Sequence, residues 1–172
     1  MKRYIWLCLL LMMLVGCTAP AQQPTPIEEK DEEITVTIMV EGMEETVSAI
    51  RHTSALGYSV IYDPASVTLQ KQEGADLYID PYEGDIPDCY FRISLWEGDA
   101  MDLADEVGTV GGYPAVFTRS AEGMAWDSVI REFVFITVGE RVYHVEIGYF
   151  SEAAEGYGTR LQAMLQTLEF IE

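Results

Sequence analysis

"VIREFVFITVGERVYHVEIGYF", residues 129–150, decides the fold. Two long runs of β-branched and aromatic residues flank a Gly139-Glu140 pair, the pattern of an antiparallel hairpin closed by a two-residue turn. A turn at that pair sets the register. Phe135 then opposes His144, Phe133 opposes Glu146 and Arg131 opposes Gly148, while Ile136 meets Tyr143 and Val134 meets Val145 on the other face. Strand side chains alternate with period two, so this register commits one whole face to a core.

Further strands lie upstream. "YFRISLWEG" (90–98) and "GGYPAVFTRS" (111–120) read as strands, and "GYSVIYDPASVTLQK" (57–71) as two short ones broken at Asp63-Pro64. "ITVTIMVEGMEETVSAIRH" (34–52) reads as a hairpin. A Gly42-Met43 loop of type II′ would pair Ile38 with Val47 and Val36 with Ala49. Two helices complete the pattern. Asp99 caps a short one with Ala100, Leu103, Ala104 and Val107 on one face, and Ser151 caps a closing one whose stripe is Tyr157, Leu161, Met164, Leu165 and Leu168. The expected class is α+β: an antiparallel sheet of about six to seven strands flanked by helices.

The N-terminus follows a different logic. Lys2 and Arg3 precede an apolar run from Tyr4 to Val15, too short for a spanning helix of about 20 residues but suited to an export signal. After it, "TAPAQQPTPIEEKDEE" (18–33) mixes prolines, glutamines and charges that cannot bury enough apolar surface to fold. Between the two, Leu14-Val15-Gly16-Cys17 resembles the lipobox of bacterial lipoproteins. The resemblance implies that residues 1–16 are a cleaved signal peptide and that the Cys17 sulfur carries lipid. Residues 17–33 would be the lipidated cysteine and a disordered stalk, and 34–172 a single α+β domain. Its partner would be the lipid bilayer, reached through N-terminal acyl chains. Thr18 follows the cysteine, which implies the outer face of the cell membrane, or the outer membrane in a two-membrane bacterium.

Composition narrows the partners. Without Lys2 and Arg3 the chain keeps eight basic residues against 29 acidic ones, a net charge of −21. Nucleic acid is disfavoured, because phosphates need neutralising Lys and Arg. Apart from Cys8 in the signal and Cys17, the only cysteine is Cys89, which has no internal disulfide partner and reads as a small buried hydrophobe.

Candidate sites are few. Asp76, Asp80, Glu83, Asp85 and Asp88 crowd the acidic stretch "DLYIDPYEGDIPDC" (76–89), and such hard oxygen ligands on a bent loop could wrap Ca²⁺, although the EF-hand spacing is absent. His144 shares a face with Glu146, which suggests an acid–base pair or half a metal site, or else a core or rim histidine beside a Glu146–Arg131 cross-strand ion pair. "GTVGGYPAV" (108–116) lacks phosphate-loop spacing and reads as a plain turn. Tyr78, Tyr82, Tyr113, Trp96 and Trp126 could form a stacking surface for wall glycan, although aromatics at strand spacing are more often core. No motif calls for a catalytic residue, a metal or a cofactor.

"SALGYSVIYDP" (54–64), "VGGYPAVFT" (110–118) and "GYGTRLQAMLQTLEFI" (156–171) together resemble the PsbP-like α/β/α sandwich. The family's usual bulky aromatic after its "YP"-like element is missing here, with Asp63-Pro64-Ala65-Ser66-Val67 in its place. That resemblance implies a non-catalytic accessory or binding module, with a protein or cell-wall partner. The alternatives are a surface sensor of Ca²⁺ or a small ligand, and a hydrolase built on His144 and Glu146.

Overall fold

A computed structural model describes residues 27–40, 43–82, 87–98, 106–123, 125–126 and 128–171, with backbone alone at 38–40 and 43–45. The hairpin at 129–150 folds in the expected register: β9 (Val129–Val138) and β10 (Arg141–Phe150) set Phe135 opposite His144 and Ile136 opposite Tyr143. Gly139 supplies the positive φ, +58°, that the turn requires. Around this pair runs a seven-stranded antiparallel sheet in the order β4-β5-β6-β10-β9-β8-β7. Its other strands are β4 (Thr68–Gln72), β5 (Ala75–Ile79), β6 (Tyr90–Leu95), β7 (Glu106–Val110) and β8 (Tyr113–Glu122).

A second, four-stranded sheet has the order β1-β2-β3-β11, built from β1 (Lys30–Val40), β2 (Met43–Ser54), β3 (Tyr58–Tyr62) and β11 (Glu169–Phe170). Between β10 and β11 the chain passes through a 3-10 turn (Ser151–Ala153), a π-helical turn (Ala154–Gly158) and helix α1 (Thr159–Gln166). The core lies between the sheets. Tyr143, Val145, Ile147 and Tyr149 of β10 alternate into it and meet Tyr58 and Val60 of β3 and Leu161, Met164 and Leu165 of α1. Each fully buried aliphatic side chain contributes about 1.5–3 kcal/mol.

Several expectations need correction. Among the described residues the architecture is a sheet-dominated sandwich, with a seven-stranded and a four-stranded antiparallel sheet and one short helix, rather than clearly a sheet flanked by helices. Glu106 and Val107 belong to β7, where Val107 is 67% exposed, so Val107 does not join a helical stripe; the rest of that expected helix, 99–105, lies outside the described residues. A five-residue window with alternating polarity cannot separate a short strand from the end of a helix.

The first hairpin does not take the register that a Gly42-Met43 loop would give. Val36 faces Val47, Ile34 faces Ala49 and Val40 faces Met43. A two-residue shift in partner leaves every side chain on the same face, so alternation could not tell the registers apart. Strand β1 also begins at Lys30, four residues before the alternation and inside the expected stalk. Ser151 is not a helix cap: its Oγ donates to the Ser128 carbonyl at 3.3 Å.

Candidate functional site

A polar network crosses from one sheet to the other. The β4–β5 register places Lys71 opposite Asp76, and alternation along β5 turns Asp76 inward with Tyr78. A carboxylate buried there must find donors. Ser54 Oγ donates to its Oδ2 at 2.5 Å and Tyr58 OH to the same oxygen at 2.6 Å, while Lys71 Nζ donates to Oδ1 at 2.9 Å. Tyr58 and Tyr78 hydroxyls lie 3.2 Å apart. Burial alone would raise the Asp76 pKa, but the hydrogen bonds from Ser54, Tyr58 and Lys71 outweigh it and hold the carboxyl below its usual range. The Tyr58 and Tyr78 phenols are pushed far up, above all by burial.

His52, 1% exposed on β2, extends the network to the start of β1. Its Nε2 lies 2.9 Å from Lys71 Nζ and its Nδ1 2.5 Å from Asp31 Oδ1. An ammonium only donates, so Nε2 accepts from Lys71 and Nδ1–H donates to Asp31. Glu29 pairs with Lys71 and sits 3.5 Å from His52 Nε2. Ser54 accepts from the Leu56 N–H at 3.1 Å while its own proton is committed to Asp76. The chemistry is that of a bolt between two sheets. Sequence reading missed this role for His52 and Lys71. The one available signal was Lys71 and Asp76 flanking Glu73-Gly74 at hairpin spacing.

The acidic stretch divides. Asp76 is in β5, outside the loop, with its oxygens occupied. Asp80 closes the loop: its Oδ1 accepts from Tyr82 N–H at 3.0 Å and its Oδ2 from Cys89 N–H at 2.5 Å. Asp88 is exposed, and Glu83 and Asp85 lie outside the described residues, as does Cys17. Among the described residues no three His, Cys, Asp or Glu side chains converge as a metal would require. Cys89 is buried and unbridged, and burial, ahead of its carboxylate neighbours, pushes its thiol up to about 11.

The outer face of the seven-stranded sheet carries His144, stacked on Phe135 (ring centroids 4.7 Å apart) and Phe133 (5.9 Å), with Trp96 at 5.4 Å. Burial lowers its pKa, Arg92 adds to the lowering and Glu146 opposes it. Glu146 turns elsewhere, accepting from Tyr90 OH at 2.5 Å with Arg131 Nε 3.9 Å away. The two do not form an acid–base pair. Of the aromatics that could stack on glycan, Tyr78 is core, whereas Tyr82 and Trp126 are more than half exposed.

A cleft of about 380 Å³ opens beside the start of β7 and the middle of β8 and β9, between Glu106, Phe117, Arg119, Glu132 and Phe133. Glu132 accepts from Tyr149 OH at 2.6 Å and from Gln162, with Arg119 Nε at 3.8 Å.

The buried phenols give a pH prediction. Tyr90, Tyr149 and Tyr157 are each pushed from 10.0 to about 12, first by burial and then by Glu146, Glu132 and Tyr82 respectively. A phenol whose folded pKa is raised stabilises fully below the unfolded value, and that contribution is lost as pH climbs through the folded one. Stability should therefore fall between pH 10 and about 12. Tyrosinate absorbance followed beside circular dichroism checks this: a group of phenols should ionise late, together with unfolding, and ionisation of the whole set near pH 10 with the fold intact would contradict it.

No protein family matches the chain, and neither does any curated protein. Among solved structures, a protein from Bacteroides thetaiotaomicron VPI-5482, crystallised at 1.50 Å resolution, is similar with a TM-score of 0.52 and 16% identity. The match covers 69% of this chain and 46% of that one, so this chain spans under half of its neighbour. At that identity the likeness concerns the fold alone.

Proposed function

We propose that this chain is a lipoprotein displayed outside the cytosol, on the outer face of the cell membrane or on the outer membrane of a two-membrane bacterium. Acyl chains on Cys17 anchor it, and its sheet domain is a non-catalytic binding module. The observation that carries this reading is "LMMLVGC" (11–17) behind Lys2-Arg3. Each buried methylene contributes about 0.8 kcal/mol and a single chain holds only marginally, so lasting attachment takes two or more. The internal commitments of His52, Asp76 and Glu146 support binding over catalysis. The glycine turn into β8 formed by "VGGYPAVFT" and the amphipathic α1 support a PsbP-like relationship for the larger sheet.

Metabolic labelling with palmitate tests the anchor. The wild-type chain should take up label and sediment with membranes, and Cys17→Ala should do neither. A wild-type chain that stays unlabelled would overturn the reading.

A further inference from the structure

The four-stranded sheet ends on β1, which pairs with β2 from Lys30 to Val40. The opposite edge of β1 meets no strand among the described residues. Strand β2 meets β3 only from Ile50 to Ser54. From the Ile34–Ala49 pair to the Val40–Met43 pair the hairpin is therefore a two-stranded ribbon. Two strands alone are marginally stable in water. An open edge of this length, about 35 Å, offers a row of unmatched N–H and C=O groups to an added strand. No proline interrupts it.

We propose that the free edge of β1 accepts an extended, cationic segment of another protein as an additional strand. The choice of occupant follows from charge. Asp31, Glu32 and Glu33 are exposed in succession, directly after exposed Glu28 and Glu29, five carboxylates against Lys30 among them, Lys71 paired with Glu29 and Arg51 opposite Glu32. Lys or Arg opposite the acidic end gains cross-strand pairs. Exposed ion pairs are each weak, so the backbone ladder supplies affinity and the charges supply selection. A second copy of the chain is disfavoured because each brings a net charge of −21 once the signal is removed. An acidic strand is rejected at the same place. The proposal rests on the binding-module reading but not on the acyl anchor, which palmitate labelling tests separately.

The test uses the full chain in mild detergent and a synthetic peptide alternating Lys with Val and Thr. A second peptide of the same sequence is N-methylated at every other residue, which keeps the charge and removes the ladder donors along one edge. The first peptide should bind and slow hydrogen exchange at alternate amides between residues 30 and 40. The methylated peptide should bind at least about tenfold more weakly, the loss expected when several ladder bonds go. Replacing Glu28 and Glu33 together with Lys, at positions exposed to solvent and not opposite a cation in the β1–β2 register, should weaken the first peptide similarly while leaving the melting temperature near wild type. Equal binding of both peptides would reduce the effect to diffuse charge attraction and overturn the proposal. Protection confined to other strands would overturn it too, as would β1 amides already protected in a dimer.

Discussion

Asp76→Ala is expected to lower stability by about 2–4 kcal/mol, because two buried hydroxyls lose their acceptor at once. Ser54 and Tyr58 both donate to Asp76 Oδ2 and are almost fully buried. Part of the loss is recovered, since Tyr58 keeps Tyr78 at 3.2 Å and half-exposed Lys71 can turn to water or to Glu29. Asp76→Asn should cost about half as much, as an amide oxygen still accepts and the hydroxyls can rotate to accept from its NH₂. The pair also separates charge from shape. The folded Asp76 pKa is depressed, so its contribution is present above the unfolded pKa and is lost as pH falls through the folded one. The wild-type protein should lose stability below about pH 4, and Asp76→Asn should lose less over the same range. Urea unfolding at neutral and acid pH measures both, and equal acid sensitivity in the two proteins would refute the assignment.

Gly148→Ala is expected to cost about 1–3 kcal/mol, the usual penalty for overfilling a packed site. Gly148 faces Tyr90 on one neighbouring strand and Arg131 on the other. A Cβ there would overlap the Tyr90 ring, which lies across the glycine. To make room, Tyr90 must swing off and give up its 2.5 Å hydrogen bond to Glu146. Tyr90→Ala made alone removes that bond without a clash. The double variant should therefore be less destabilised than the two single losses added together. Strict additivity in thermal unfolding would show that the ring does not lean on the glycine.

How much of this was legible follows from where each element gets its instructions. The 129–150 hairpin carries its register in a glycine turn and two unbroken alternations, so His144 could be set against Phe135 and Glu146 near Arg131 before any coordinates. The second sheet was illegible as a layer. Strands β3 and β4 are adjacent in sequence yet belong to different sheets, separated by the turn in which the Ser66 and Val67 N–H groups donate to the Asp63 carbonyl. The short Glu169–Phe170 strand has no periodicity to read. At the site, Asp76 looked like one of five loop carboxylates because its strand, "ADLYI", is short and opens into a run of prolines and acids. Its hydroxyl donors come from Ser54 and Tyr58, some twenty residues earlier, and no local rule connects them to it. His52 was equally opaque, since its two nitrogens are claimed by strands from both layers.

That claim on His52 has a mechanical consequence. Tension transmitted through the chain ahead of Ile27 enters β1 at its first rung, Lys30 against Thr53. Beside that rung Asp31 grips His52, and Glu29 grips Lys71 on the opposite layer. Peeling the strand from this end must break both grips before a second rung can open. The resistance of β1 to peeling from this end is thus set by two carboxylates, an imidazole and an ammonium.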